Sequence, residues 1–140
     1  MVVLNLLGDI LYELEANWRI ISYGDTPLGP RNDFELEGTV KGKINGKFSG
    51  VDYGIGTQNN AIAVHVHERV VTDDGENISM FRQGFAVPNS KGTYDIKCFV
   101  MFSTGSKKYA WLNTTVAVLE GEGSSNQPNL RAKAYEWKTT

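Results

Sequence analysis

The sequence contains few of the residues on which several large functional classes depend. Among its 140 residues Cys98 is the one cysteine, so no disulfide can form within the chain. The 14 lysines and arginines do not exceed the 16 aspartates and glutamates, which leaves no cationic surplus to attract a phosphate backbone. No apolar run approaches the roughly 20 residues that a bilayer-spanning helix needs. We therefore predict neither a nucleic-acid partner nor a membrane partner.

Signals for export are equally scarce. Residues 1–7 are apolar, but they carry no basic segment, and Asp9 and Glu13 follow within a few positions. A secretion signal would begin with basic residues and continue with an uninterrupted apolar stretch. We therefore expect residues 1–7 to lead into a first strand. We also expect a cytoplasmic location, because a lone cysteine does not require an oxidising compartment.

Catalytic and metal-binding signatures are few. The sequence has no serine elbow, phosphate loop, dinucleotide fingerprint or paired-cysteine zinc motif. His65 and His67 are its only histidines, and an H-x-H pair on a strand suggests a cupin-type metal site. Such a site needs a third protein ligand, which no further histidine supplies. We predict no metal and no cofactor, and we expect the pair to act as a general acid or base in a lumen or to form a satisfied surface pair.

Alternation of apolar and polar residues is the dominant pattern that the sequence does contain. From Ile10 to Ile20 and from Phe34 to Ile44, one parity is largely apolar and the other is polar or charged. This period of two is typical of half-buried strands, and no stretch keeps a helical period for three turns. Six further runs, at 48–53, 60–71, 78–87, 94–102, 108–119 and 130–137, are predicted to be strands.

Turn residues separate these runs and indicate how the strands connect. Asn45-Gly46 and Asp74-Gly75 are strong hairpin signals, and the 15 glycines suit the bends of a small barrel. We predict one all-β domain over 1–140, a closed antiparallel barrel of about eight strands in a meander with little or no helix. In the run from Ala61, one parity carries His65, His67 and Arg69, while the other is apolar. One of these rows must face the lumen and the other the outside. Either cationic groups lie in the lumen, or an apolar stripe lies on the outer face and forms an interface in a homo-oligomer.

Three polar-tipped side chains alternate near the C-terminal end. In an extended strand from residue 108, Tyr109, Trp111 and Asn113 point to one face. Buried Tyr, Trp and Asn each need a hydrogen-bond partner, so such a face suits a ligand-sized cavity. A cross-strand aromatic ladder with a satisfied asparagine is the alternative.

An ordered set of short motifs carries a family resemblance. In chain order they are Gly29-Pro30-Arg31, Gly38-Thr-Val-Lys-Gly42, Gly50-Val-Asp52-Tyr53, Thr72-Asp-Asp-Gly75, Phe102-Ser-Thr-Gly105 and Tyr109-Ala-Trp-Leu-Asn113. The set resembles the family of small uncharacterised proteins catalogued as domain of unknown function 3237. The resemblance implies a calycin-like barrel, similar in outline to allene oxide cyclases. It also marks Asp52 as a pattern position, where a carboxylate could act as a base, orient a histidine, pair with an arginine, or merely cap a turn.

The resemblance and the candidate residues together favour a cofactor-free isomerase or cyclase. Its substrate would be a small hydrophobic metabolite, polyketide- or terpenoid-like, held in the barrel lumen. The alternatives are a non-catalytic carrier or sensor of a small hydrophobic ligand and a structural homo-oligomer, with a homodimer or a higher assembly as the expected state. The predicted catalytic residues are Asp52, His65, His67 and Asn113, and the predicted ligand-binding residues are Arg31, Tyr53, Arg69, Tyr109 and Trp111.

Overall fold

The chain forms a closed antiparallel barrel of eight strands, as the sequence predicts. A computed structural model describes residues 7–124 and 129–138. Its strands are β1 (Leu7–Thr26), β2 (Gly29–Gly42), β3 (Gly46–Gly56), β4 (Ile62–Thr72), β5 (Asn77–Pro88), β6 (Tyr94–Ser103), β7 (Val116–Ser124) and β8 (Asn129–Trp137). Each strand pairs with its neighbours in the chain, and β1 also pairs with β8, which closes the barrel. The predicted lead-in at 1–6 and the predicted turn at 125–128 lie outside the described residues.

Alternation along β4 shows which parity lines the lumen. Val64, Val66 and Val70 are buried inside the barrel, while His65 and His67 are exposed on its outer face. Burying one apolar parity against the other strands supplies the main driving force for closure. The apolar row of this strand is therefore lumenal, and the histidine row is external. No helix among the described residues is long and apolar enough to cross a membrane.

The packed core fills one end of the lumen, and a short 3-10 helix at Ala110–Thr114 closes that end. Leu112 is fully buried there, and Tyr109 is nearly so. The amide of Asn113 accepts a hydrogen bond from the N–H of Thr104 (2.8 Å) and donates one to its carbonyl oxygen (2.9 Å), which pins the loop between them. The predicted strand at 108–119 is therefore wrong over its first half, and β7 begins at Val116.

Glycines bring neighbouring strands close together in the barrel, and Gly84 on β5 is, with Gly38 on β2, one of the two tightest positions. A Cβ at this position would lie 1.9 Å from the carbonyl oxygen of Lys97 and 2.8 Å from the Cα of Cys98. Gly84→Ala is therefore expected to lower the free energy of unfolding by about 3 kcal/mol, the upper end of the usual cost of overpacking, because backbone must move to make room. Gly105→Ala is the matched control, because a Cβ there would meet no atom within 4 Å apart from its chain neighbours. Urea denaturation of both variants checks this, and equal stability would contradict it.

Candidate functional site

A cavity of about 320 Å³ occupies the half of the lumen that the packed core leaves unfilled. It lies where odd-numbered strands end and even-numbered strands begin, so one end of the barrel supplies all of its lining. That lining is mostly apolar and aromatic, as is usual for small-molecule pockets. The residues that form it include Trp18, Phe34, Leu36, Ile62, Val64, Val66, Tyr94, Ile96 and Leu130, together with Asp52 and Arg82.

Arg82, which belongs to the lining of this cavity, forms a buried ion pair with Glu68 between β4 and β5. Arg82 donates from Nε to one oxygen of Glu68 (3.0 Å) and from Nη2 to the other (2.5 Å), and both side chains are almost completely inaccessible to solvent. Burial alone would lower the pKa of Arg82, but the adjacent Glu68 carboxylate raises it overall, so the guanidinium stays charged. A Cβ at Gly50 would meet the Cγ of Glu68 at 2.7 Å, so this glycine makes room for the carboxylate.

Arg82 faces the cavity, whereas Glu68 does not line it. The Nε and Nη2 atoms are used by Glu68, while Nη1 has no hydrogen-bond partner within residues 7–124 and 129–138. A guanidinium presents donors in a fixed planar fork, so the remaining donor keeps a set direction. The ion pair therefore holds a permanent cation with a free donor against an apolar cavity.

Asp52 is the second charged group of the cavity. It is 7% exposed, and its Oδ1 accepts a hydrogen bond from the backbone N–H of His65 (2.8 Å). Burial raises the pKa of this carboxyl, and the His65 bond and the Arg82 charge oppose that rise only in part. A carboxyl with a raised pKa exchanges protons more readily near neutral pH than an ordinary aspartate does. Asp52 and Arg82 thus place a carboxyl group of raised pKa and a cation in the lining of one pocket.

The structure places the other predicted polar residues of β3 and β4 on the outside of the barrel. His65 and His67 are exposed on the outer face, and Tyr53 lies beside His67 with ring centroids 6.1 Å apart. Arg69 continues the same outward row. A strand sends alternate side chains to opposite faces, so the parity that brings Asp52 inside sends Tyr53 outside.

The predicted row of Tyr109, Trp111 and Asn113 does not line the cavity either. These residues belong to the 3-10 helix and its start at the closed end, where Trp111 is 41% exposed and Asn113 bonds the loop. A 3-10 helix advances three residues per turn, so positions two apart no longer share a face. The expectation that this row forms one cavity wall is wrong, and the amide of Asn113, a predicted catalytic residue, is bonded to the backbone of Thr104.

Arg31 lies at the start of β2 and is held by its neighbours. Its guanidinium pairs with Asp33 (2.6 Å) and lies over the rings of Tyr23 and Tyr53, at 5.3 and 5.6 Å from their centroids. The sequence predicts a ligand-binding role for Arg31, whereas the structure gives it a bridge to Asp33. Arg31 does not line the cavity.

Sequence reasoning missed Arg82, Glu68 and the aromatic residues Trp18, Phe34 and Tyr94. The signal available in the sequence was a charged residue among the apolar residues that face inward on a strand. Glu68 follows Val64 and Val66 in the inward row of β4. Arg82 follows Ile78 and Met80 in the inward row of β5. Opposite charges at such positions on adjacent strands indicate a buried pair, since an isolated charge would be too costly to bury.

Cys98 and metal-ligating groups add no further chemistry to the lumen. Burial raises the pKa of the Cys98 thiol to about 11, so it stays protonated and packs as a small apolar residue. Within the part of the chain that the structure describes, no group of three or more His, Cys, Asp or Glu side chains is arranged to hold a metal ion.

The fold and the cavity define a small closed antiparallel barrel whose mostly apolar cavity contains the charged groups of Asp52 and Arg82. The chain belongs to the family described as protein of unknown function (DUF3237), whose model matches residues 4–137. No curated protein matches the sequence. The fold itself recurs in solved structures of proteins from bacteria and a fungus.

Three of these structures show how widely the fold is shared. A β-barrel-like protein from Acinetobacter baumannii is 24% identical, with 93% of this chain and 94% of that chain covered and a TM-score of 0.80. A protein of unknown function from Clostridium acetobutylicum is 20% identical, with 91% and 96% covered and a TM-score of 0.81. An enzyme from Penicillium herquei is 22% identical, with 91% and 94% covered and a TM-score of 0.65. At these identities the likeness concerns the fold.

The raised pKa of Asp52 gives the stability a specific pH dependence. A carboxyl whose pKa is higher in the folded than in the unfolded chain stabilises the fold below its ordinary value of 3.8, and this contribution is lost as the pH rises through the folded-state pKa. Asp52→Asn keeps an acceptor for the His65 N–H but cannot ionise. The variant is therefore expected to gain stability over wild type as the pH rises from 4 towards 8, by about 1.4 kcal/mol for each unit of the pKa rise.

Chemical denaturation at several pH values measures this difference. Glu37→Gln, which removes an exposed carboxylate from β2, is the matched control and should track wild type. A stability difference between Asp52→Asn and wild type that stays flat or shrinks with rising pH would contradict the assignment.

Proposed function

We propose that the protein is a cofactor-free enzyme that moves a proton on a small hydrophobic carbonyl compound bound in the lumen, and so acts as an isomerase or cyclase. The observation that carries this proposal is that Asp52 and Arg82 face the same apolar cavity. A carboxylate that acts as a base and a fixed cation that stabilises negative charge on oxygen are the two groups that promote enolisation.

The proposed step begins with the ligand carbonyl oxygen at Nη1 of Arg82. Asp52, ionised, removes a proton from the carbon next to that carbonyl, and the C–H electron pair becomes the enolate. Negative charge then gathers on the oxygen, where the guanidinium stabilises it, since the Glu68 bonds hold the guanidinium in place before reaction. The protonated Asp52 returns its proton to another carbon in an isomerisation. In a cyclisation, the enolate attacks an acceptor within the same molecule and Asp52 protonates the product.

The rest of the cavity supports binding of an apolar body. Trp18 and Phe34 meet edge to face, with ring centroids 5.4 Å apart, and Tyr94 and Ile96 pack beside the core. Such walls favour a flat or folded hydrocarbon framework and hold it in a reactive conformation, which itself accelerates ring closure. A polyketide- or terpenoid-like metabolite with at least one carbonyl fits this chemistry.

The test follows proton abstraction directly. A panel of β-diketones, β-keto esters and enones is incubated with the protein in D₂O, and NMR follows exchange of the hydrogen next to the carbonyl. We expect wild type to accelerate exchange for part of the panel and Asp52→Asn to lose at least about 100-fold of that acceleration. Arg69→Ala, which removes an arginine from the outer face, should keep the wild-type rate.

The role of Arg82 needs a variant that still folds. Arg82→Met alone leaves Glu68 buried without its partner, which costs about 3–5 kcal/mol. The double variant Arg82→Met/Glu68→Leu removes both charges, so it is expected to fold while losing exchange activity. Exchange that persists in folded Asp52→Asn or in the folded double variant would overturn the proposed mechanism.

A carrier or sensor role is the second candidate, because the same cavity would hold a ligand without transforming it. Native mass spectrometry of protein expressed in its own host would reveal a co-purified small molecule. A bound molecule that is lost in Asp52→Asn, together with no exchange across the whole carbonyl panel, would favour the carrier over the enzyme.

The outer face of β5 to β8 supports self-association, the third expectation from sequence. Phe85, Phe99, Met101 and Trp137 are about half exposed, and Phe99 stacks on Trp137 with centroids 6.2 Å apart. Large apolar side chains clustered on one outer wall are unusual for a monomer. We propose that a second copy of the chain covers this wall.

Sedimentation equilibrium tests the self-association. Wild type is expected to be a dimer or a higher oligomer at micromolar concentration, and Phe99→Glu should shift it to monomer, because a charge would then face the apolar partner. Lys47→Glu, on the outer face of β3, is the matched charge-changing control. A wild-type monomer at high concentration would contradict the interface.

A further inference from the structure

The two imidazoles on the outer face of β4 converge on one point. Their Nε2 atoms lie 3.3 Å apart, with ring centroids 5.2 Å apart and ring planes inclined by 37°. Both side chains are exposed, so an ion can reach them from solvent. We propose that His65 and His67 form a two-ligand surface site for a divalent transition-metal ion of the nickel, copper and zinc class.

The separation of the two nitrogens fits a shared ion. Zinc binds imidazole nitrogen at about 2.0–2.1 Å, and in a tetrahedral ion this places two ligand nitrogens about 3.3–3.4 Å from each other. The observed 3.3 Å therefore needs no change in the backbone of β4. A modest rotation of each ring directs both lone pairs at the ion.

Neighbouring aromatic side chains hold the imidazoles in this arrangement. Phe81, opposite His67 on β5, meets His65 and His67 edge-on at centroid distances of 5.0 and 5.1 Å. The ring centroid of Tyr53, on β3, lies 6.1 Å from that of His67. Packing that already restricts the rotamers reduces the entropy lost when a metal gathers the two ligands.

The ligand set determines the class of ion. Two neutral imidazoles suit copper, nickel and zinc, whereas magnesium and calcium require oxygen ligands. Arg69 in the same outward row and Lys97 on the adjoining outer wall add positive charge, which keeps the affinity moderate. The sequence analysis required a third protein ligand, but that requirement applies to a structural or catalytic zinc site. An open, exchangeable site can complete its coordination with water.

A hydrogen bond between one protonated and one unprotonated nitrogen is the competing explanation, and titration separates the two. Tag-free full-length protein is titrated with Cu²⁺, Ni²⁺ or Zn²⁺ in a calorimeter. We expect saturable binding of one ion per chain, or one per two chains if a second copy completes the site, with copper tightest. His65→Ala and His67→Ala should each weaken binding at least about tenfold. Removing a group that only supports a metal ligand already lowers metal affinity by about that factor, and removing the ligand itself should cost no less.

Ser79→Ala is the control, because Ser79 lies on the exposed outer face of β5 and supplies no imidazole. Binding in this variant should match wild type. A measurement on wild type alone guards against misfolded variants: Zn-edge X-ray absorption should show two imidazole nitrogens at about 2.0 Å. Binding by His65→Ala/His67→Ala that equals wild type, or the absence of saturable binding in wild type, would overturn the proposal. Neither result depends on the chemistry proposed for the lumen.

Discussion

The buried ion pair between Arg82 and Glu68 is the interaction on which the rest of the lumen depends. Two charges taken out of water are tolerated only when they neutralise and hydrogen-bond each other, and here both oxygens of Glu68 receive a donor from Arg82. Gly50 provides the space, and β4 and β5 provide the adjacent backbones. The pair marks the boundary between a packed half of the barrel and a half with a cavity. It therefore keeps a charged guanidinium in the lining of the cavity.

Much of the fold follows from the period of two in the sequence. The alternation in β1 and β2 and the turn residues at Asn45 and Asp74 predict the strands, their order and closure into a barrel. The prediction failed at residues 108–115, because alternation there is equally compatible with a short helix that buries Leu112. The bonds that decide between them join Asn113 to Thr104, nine residues away, and a local pattern does not reveal such a contact.

The site was less accessible to sequence reasoning than the fold. Asp52 was identified through the family resemblance, but Arg82, the other charged residue of the cavity, was not. A single charge in an apolar row does not indicate a buried ion pair until the residue opposite it on the neighbouring strand is known. His65 and His67 were noticed for their chemistry and assigned to the lumen or the surface. Only the register of β4 decides that question, since a shift of one residue exchanges the two faces.

The wall of this barrel is one β-sheet thick, so a single residue, His65, makes contacts on both the inner and the outer face. Its backbone N–H donates a hydrogen bond to the buried Asp52 carboxyl, while its imidazole lies on the outer face beside His67. Every residue other than proline supplies the same N–H, so substitutions at this position alter the exterior and leave the inner contact in place.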